Sequence, residues 1–253
     1  MFAYSNRDYE KARPFLEEQC AAGDTIACGR LGFILAEEPR DGADLVRARG
    51  LFGQACDGQF GQSCYNLGVM NQNGDGGPID LSDARDLFRK ACDLDHMLGC
   101  NNLGAMHVNG EGGSVEFVAG RRLFEMACKG DNLDGCVNLG RMYITGRGGE
   151  FDGPKARQQF RTACSKRFAD GCHELALTHL GGKGGPQDTE KARELFAQAC
   201  DDKFAASCFE LGLMTEAGVG GDGDKAEAAK LLKRACELGD DRACRKLDGG
   251  DQA

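Results

Sequence analysis

Fourteen cysteines recur in this chain at a fixed interval, and no other feature restricts its fold so tightly. They form seven C-x7-C pairs: Cys20/Cys28, Cys56/Cys64, Cys92/Cys100, Cys128/Cys136, Cys164/Cys172, Cys200/Cys208 and Cys236/Cys244. Each pair starts 36 residues after the one before, with no insertion or deletion. A period of that length marks a repeat array, in which each unit buries its apolar face only against its neighbours. The reading is a single elongated domain over 1–253, with 1–20 as an N-terminal capping helix and 237–253 as a truncated C-terminal cap.

A formal charge of −9 argues against nucleic acid or an anionic membrane as the partner, since both need a basic face to neutralise phosphates. No apolar run approaches the roughly 20 residues of a membrane span. The opening Met1-Phe2-Ala3-Tyr4-Ser5-Asn6-Arg7-Asp8 has neither the basic start nor the apolar centre of a signal peptide. The cysteines point the other way. An even count at one spacing reads as a disulfide framework, which persists in oxidising compartments. The expectation is therefore an exported protein, periplasmic or secreted, whose sequence here begins after a processed leader or at an artificial boundary. Buried thiols filling small apolar slots in a cytosolic protein are the alternative. Structural zinc prefers closer pairs, from C-x2-C to C-x4-C, so no metal is expected.

The residues before each pair read as one helix, here called B. An acid stands twelve positions upstream of the first cysteine in every unit: Asp8, Asp44, Asp80, Glu116, Asp152, Asp188 and Asp224. Aspartate caps helix N-termini by accepting orphan N–H bonds at the positive end of the dipole. An apolar stripe follows, Ala84-Leu87-Phe88-Ala91 in one unit and Ala192-Leu195-Phe196-Ala199 in another. Its i, i+3, i+4, i+7 spacing is that of an amphipathic helix.

A second helix, A, carries the second cysteine and then Leu-Gly, as in Leu31-Gly32, Leu67-Gly68, Leu103-Gly104, Leu139-Gly140 and Leu211-Gly212. Glycine inside a helix costs roughly 1 kcal/mol against alanine. Close approach of the bulky Phe of a neighbouring B helix offsets that cost. Helix A then stops at G-x-G-G, as in Gly74-Asp75-Gly76-Gly77 and Gly110-Glu111-Gly112-Gly113. A phosphate-binding P-loop would need a preceding strand and a Gly-Lys-Ser/Thr ending, so the loop reads as a left-handed C-cap and turn. Each disulfide would close a short loop between B and the following A, contributing on the order of 2–3 kcal/mol on the chain-entropy view. Thin two-helix units lack a thick core, so the bridges are expected to replace the depth of a globular domain.

This pattern resembles the Sel1-like repeat family, relatives of the tetratricopeptide repeats, and within it the cysteine-rich subgroup typified by the Helicobacter cysteine-rich proteins. The residues that carry the resemblance are A-x2-L-F-x2-A-C, the C-x7-C pair, Asn66-Leu67-Gly68, Asn102-Leu103-Gly104, Asn138-Leu139-Gly140 and G-x-G-G. The resemblance implies an all-α fold, a right-handed αα-superhelical solenoid with one disulfide per repeat. It also implies an adaptor or ligand-binding scaffold. Members of the subgroup have been labelled penicillin-binding proteins or weak β-lactamases, which sets the alternative function. The residues lend that label nothing of their own. No serine has a lysine three residues later, Ser82-Asp83-Ala84 falls short of Ser-Asp-Asn, and there is no Lys-Thr-Gly. His96, His107, His173 and His179 have no zinc-hydrolase spacing. No catalytic residue and no cofactor is expected.

Helix A offers one candidate binding stripe at positions −1, +3 and +6 from its leucine. It reads Asn66-Met70-Asn73, Asn102-Met106-Asn109 and Asn138-Met142-Thr145. The resemblance places helix A on the concave face. Asparagine offers donor and acceptor together and suits a peptide backbone, while methionine adapts to varied side chains. The expected partner is a protein or extended peptide segment, with no nucleic acid, no membrane insertion and a monomeric scaffold.

Overall fold

The computed structural model describes residues 6–39 and 41–249, with side chains from Tyr9 onward. Among the described residues there are fourteen α-helices and no strand. The chain divides into two compact units, Met1–Gly130 and Asp131–Ala253. The first holds α1 (Asn6–Ala21), α2 (Thr25–Glu37), α3 (Gly42–Asp57), α4 (Gly61–Asn73), α5 (Leu81–Asp93), α6 (Met97–Asn109) and α7 (Phe117–Lys129). The second holds α8 (Leu133–Thr145), α9 (Gly153–Ser165), α10 (Ala169–Leu180), α11 (Thr189–Asp201), α12 (Ala205–Ala217), α13 (Lys225–Glu237) and a short α14 (Asp241–Leu247). Odd-numbered helices are the B type and even-numbered ones the A type. Within each unit an A helix packs on the B helix before it and more extensively on the one after it.

Within each unit the disulfides join a B helix to the A helix that follows. Six bridges, Cys20–Cys28, Cys56–Cys64, Cys92–Cys100, Cys164–Cys172, Cys200–Cys208 and Cys236–Cys244, hold Cα atoms 4.4–4.8 Å apart. Cys128 and Cys136 are disulfide-bonded as well, and no described cysteine is free. The turn between the two helices contains one left-handed residue per repeat: Gly23, Gln59, Asp95, Asp131, Arg167, Lys203 and Gly239. Five of the seven are not glycine and hold φ between 58° and 65°.

The bridges do more than close their own loops, because their sulfurs are part of the core. Cys64, Cys100, Cys172 and Cys208 are each 0% exposed. The reason is their place on the A helix, three residues before the leucine, on the side turned toward the B helices. Cys64 packs with Cys56 against Ala91 of α5, and Cys100 packs with Cys92 against Ala127 of α7. Cys172 on α10 and Cys208 on α12 hold the same repeat position. An alanine of the next B helix covers the Cys56–Cys64 and Cys92–Cys100 bridges, so these disulfides fill space between repeats as well as closing their own loops.

The acids at the start of the B helices divide. Asp80, Asp152, Asp188 and Asp224 cap α5, α9, α11 and α13, accepting backbone N–H bonds at 2.8–3.0 Å. Asp44 does not cap α3. The helix starts earlier, because Asp41 accepts from the N–H groups of Ala43 and Asp44 at 2.9 and 3.2 Å. Glu116 stands at the head of α7 without capping it, since its longer side chain accepts from Ser114 Oγ at 2.8 Å and reaches Arg85 at 3.5 Å. Asp8 falls inside α1, and its side chain lies outside the described residues.

In most repeats the core sets one aromatic of a B helix against one glycine of an A helix. Phe52, Phe88, Phe124 and Phe160 are buried, and their rings lie against Gly32, Gly68, Gly104 and Gly140. Leu232 takes the same place against Gly212, and Ala176 replaces the glycine opposite Phe196. The G-x-G-G loop is more than a stop signal. Gly74 ends α4 in the left-handed region at φ 83°. Gly76 lies against the carbonyl of Leu45 in the first turn of α3, so a Cβ there would collide with backbone. Gly77 leaves room for the guanidinium of Arg49.

That arginine belongs to a second 36-residue series: Arg13, Arg49, Arg85, Arg121, Arg157 and Arg193. Each described clamp donates from a B helix into the loop that closes the next A helix. Arg13 reaches Glu38 O at 3.0 Å, Arg49 reaches Pro78 O at 3.2 Å and Arg85 reaches Ser114 O at 3.3 Å. Arg157 donates to the carbonyls of Lys183, Thr178 and Pro186 at 2.8–3.0 Å. A guanidinium has five donors in a fixed fork and can satisfy several loop carbonyls at once. The loops are thereby bound to the preceding B helix.

Candidate functional site: the solvent face of the A helices

Positions four and three apart share a helix face. On the A helices the solvent face runs through positions −5, −1, +2 and +6 from the leucine. In the first unit it comprises Ile26, Arg30, Phe33 and Glu37 on α2, then Gln62, Asn66, Val69 and Asn73 on α4, and Leu98, Asn102, Ala105 and Asn109 on α6. Ile26, Phe33 and Leu98 are 46%, 40% and 39% exposed, which is high for side chains of that kind. Asn66 and Asn102 are half-buried, Asn73 and Asn109 exposed.

The methionines of the expected stripe are not on this face. Met70, Met106 and Met142 are 4%, 1% and 3% exposed. Met70 packs in the cluster around Phe52, and Met106 in the cluster around Phe88. The physical reason is angular. Four residues carry a helix about 40° past a full turn, enough to move position +3 from solvent into the inter-helix seam. Position +2 is the less buried neighbour instead, with Val69 and Ala105 half-buried and Arg141 exposed. The disulfide cysteines lie off this face too. With Cys64, Cys100, Cys172 and Cys208 fully buried at position −3, no ligand on the solvent face can touch their sulfurs, and their role is structural.

The asparagines differ in how free they are. Asn66 makes no side-chain hydrogen bond among the described residues, whereas Asn102 accepts from Asn101 Nδ2 at 3.4 Å. At the C-terminal ends of the helices Asn73 donates to Asp75 at 3.3 Å and Asn109 to Glu111 at 3.0 Å. Gln72 also donates to Glu111 at 3.2 Å, tying α4 to the loop after α6. That edge of the face is acidic, with Glu37, Asp75 and Glu111 in succession.

The equivalent face of the second unit is built from charge. Asn138 is half-buried on α8 and already engaged, and Thr145 bonds back to Arg141 O at 2.7 Å. Arg141 spans to α10, reaching Glu174 at 2.7 Å and Asp170 at 2.8 Å. Burial raises the Asp170 pKa, and Arg141 opposes that rise. Arg242 pairs with Glu210 at 3.2 Å and Lys246 with Glu216 at 3.1 Å. Ion pairs already occupy most of the polar groups on this face.

Among the described residues one serine–histidine contact exists, between His173 Nδ1 and Ser207 Oγ at 2.8 Å. Ser207 is 0% exposed, and the His173 ring lies between Phe196 and Phe204 at 5.4 and 5.1 Å. Burial lowers the His173 pKa to about 4. No substrate can reach that hydroxyl, so the pair is a core contact. No helix of the described residues is long and apolar enough to cross a membrane.

Comparison with known proteins agrees with this architecture. The Sel1 repeat model matches residues 61–96, 98–132, 133–166, 169–203 and 205–240, most of the chain. The chain belongs to the Sel1 repeat family. A protective antigen of uropathogenic Escherichia coli displaying an SLR fold superposes with a TM-score of 0.84 at 23% identity. The alignment covers 92% of this chain but 50% of that one, so the present chain spans half the antigen's length. A Sel1 repeat protein from Oxalobacter formigenes gives 0.81 at 19% identity, over 90% of this chain and 92% of its own. Helicobacter pylori cysteine rich protein B aligns at 24% identity over 67% of this chain and 96% of its own, with a TM-score of 0.35, too low to carry a fold argument. No curated protein matches. The fold is thus the all-α Sel1 solenoid, an architecture that generally serves as a protein-interaction scaffold.

Proposed function

We propose that this Sel1 repeat protein is a non-catalytic scaffold that binds an extended segment of a partner protein along the solvent face of α2, α4 and α6. The observation that carries the reading is the chemistry of that face. It bears Arg30 on α2 and an acidic edge of Glu37, Asp75 and Glu111, and between them the amides of Gln62, Asn66, Asn102 and Asn109 are interleaved with Val69 and Leu98. Amides offer a peptide backbone both donors and acceptors, and the apolar positions between them suit alternate side chains. Stacked helices lie roughly 8–10 Å apart and an extended chain advances about 3.3 Å per residue, so each A helix would meet about every third residue of the ligand. The oxidised cysteines support an exported setting for this scaffold.

The test is panning the oxidised protein against phage-displayed peptides, then measuring the selected peptide against Asn66→Ala/Asn102→Ala. Each lost hydrogen bond contributes about 0.5–1.5 kcal/mol, so affinity should fall about tenfold or more with helical circular dichroism unchanged. Equal binding by the folded double variant would move the partner off this face. Nitrocefin hydrolysis above the buffer rate would favour a β-lactamase instead.

A further inference from the structure

The chain contains two histidines at the same repeat position, two repeats apart, and their surroundings differ in one respect. His107 on α6 is met by the carboxylate of Glu116, with His107 Nδ1 3.3 Å from Glu116 Oε2. Arg85 donates to the same nitrogen at 2.6 Å. Two repeats on, His179 occupies the position on α10, Arg157 replaces Arg85 and Asp188 replaces Glu116. There the internal partners are withdrawn. Asp188 is one methylene shorter and accepts from the Lys191 N–H at 2.9 Å as the cap of α11. Arg157 donates to loop carbonyls. His179 Nδ1 is consequently a buried polar atom with no hydrogen-bond partner.

His179 lines a cleft of about 510 Å³ between α9 and α11. Its walls bring two cations, Arg161 and Lys191, the apolar Leu175 and Leu195, and the Asp188 carboxylate, which is engaged as the cap of α11. Arg161 is exposed and forms no ion pair among the described residues. Lys191 pairs with Glu194 at 2.7 Å, but both are about half exposed or more, and such a surface pair holds weakly. Burial lowers the His179 pKa; Arg157, Arg161 and Lys191 lower it further, and Asp188 opposes them. His179 thus contributes to the cleft wall a ring whose Nδ1 has no partner inside the protein.

We infer that this cleft binds a carboxylate supplied from outside the chain, an acidic side chain or free C-terminus of a partner peptide, with the Arg161 and Lys191 cations flanking it and an N–H of His179 donating to it. The ligand carboxylate stands beside the imidazole as Glu116 does at His107. This surface lies in the second unit and does not depend on peptide binding along α2, α4 and α6.

Four histidines make the imidazole Cε1–H region of a proton NMR spectrum easy to resolve, and glutarate serves as the probe. At constant ionic strength glutarate should shift the His179 signal saturably in the millimolar range and raise its pKa, while His107, which has its own carboxylate, stays still. Glutaramide, the neutral isostere, should do nothing. Arg161→Gln and Lys191→Gln, both at exposed positions, should each weaken the response about fivefold. Absence of a saturable shift overturns the inference. So does an equal response in the two charge variants, which would mean simple screening. Tighter binding of inorganic phosphate than of glutarate would overturn the carboxylate assignment.

Discussion

Gly68 of α4 lies so close to Phe88 of α5 that a Cβ added to it would stand 2.8 Å from the ring. The contact explains why a residue that weakens helices recurs inside every full A helix but one. With hydrogen at that position the two backbones approach until the ring covers the helix, and Phe88 becomes 0% exposed. The array lacks a deep core, so this one contact per repeat is the centre of its packing.

Gly68→Ala should therefore destabilise the protein although alanine favours helix. The propensity gain is about 1 kcal/mol, and crowding a filled core costs about 1–3 kcal/mol. A net loss near 1 kcal/mol is expected in urea unfolding, and pairing the change with Phe88→Leu should recover part of it. A stabilised Gly68→Ala would show that the ring can turn aside.

The B–A turns predict a change of opposite sign. Lys203 sits at φ 65°, a conformation that costs an L-residue roughly 1–2 kcal/mol and glycine nothing, and Gly23 and Gly239 already fill the equivalent place. Glycine adds unfolded-chain entropy, so the net gain for Lys203→Gly should be about 0.5–1 kcal/mol. Lys203→Ala is the control and should give no gain. A higher melting temperature for both variants would trace the effect to the lost lysine side chain.

How far these relationships can be read from sequence depends on whether they repeat. The cysteine period, the Leu-Gly and Phe series and the acids at Asp80, Asp152, Asp188 and Asp224 all recur at 36 residues, and each has the structural role its pattern implies. The depth of Cys64, Cys100, Cys172 and Cys208 is another matter, since a spacing shows which helices a bridge can join and not what covers it. The arginine series is equally periodic, but a charged residue in an amphipathic stripe reads as solvated until its loop acceptors are seen. The methionines miss the solvent face by a single helical step: +3 and +2 differ by about 100° around the axis, and only the position of the neighbouring B helices decides which is covered. The His179 cleft is illegible for another reason. It depends on the difference between Glu116 and Asp188, and a period search treats those two as the same.

Reduction should weaken the array without erasing it. On the chain-entropy view each short loop contributes about 2–3 kcal/mol, yet the Phe–Gly ladder and the arginine clamps do not depend on the bridges. Thermal unfolding in reductant should shift down and broaden as coupling between repeats loosens, with helical circular dichroism retained at low temperature. Because sulfurs such as those of Cys64 and Cys208 are buried, the protein should be reduced in denaturant and refolded before the melt. Titration of the denatured, unreduced protein with Ellman's reagent should find no thiol. An unchanged melt after full reduction would show that the bridges contribute little to stability.

His173 should make the second unit sensitive to acid. Its folded pKa of about 4 lies below the 6.5 of a free imidazole, chiefly because burial between Phe196 and Phe204 disfavours the charged ring. Arg242 and Arg141 push the same way, and Asp170 pushes back. The unfolded chain thus takes up the proton first as pH falls. Stability is full above pH 6.5, declines between 6.5 and about 4, and is flat below that as far as this group is concerned. The interval corresponds to a loss of about 3 kcal/mol. Other groups titrate in the same range: the lowered His179 acts in the same direction, and the raised Asp170 carboxyl in the opposite one. The wild type must therefore be compared with His173→Gln, which keeps an amide within reach of Ser207 and removes the titration. The variant should be less stable at pH 7, since it loses both ring contacts. Its stability should nevertheless fall less steeply between pH 6.5 and 4 in denaturant titrations. Parallel profiles for the two proteins would mean that His173 becomes charged as readily in the fold as in water.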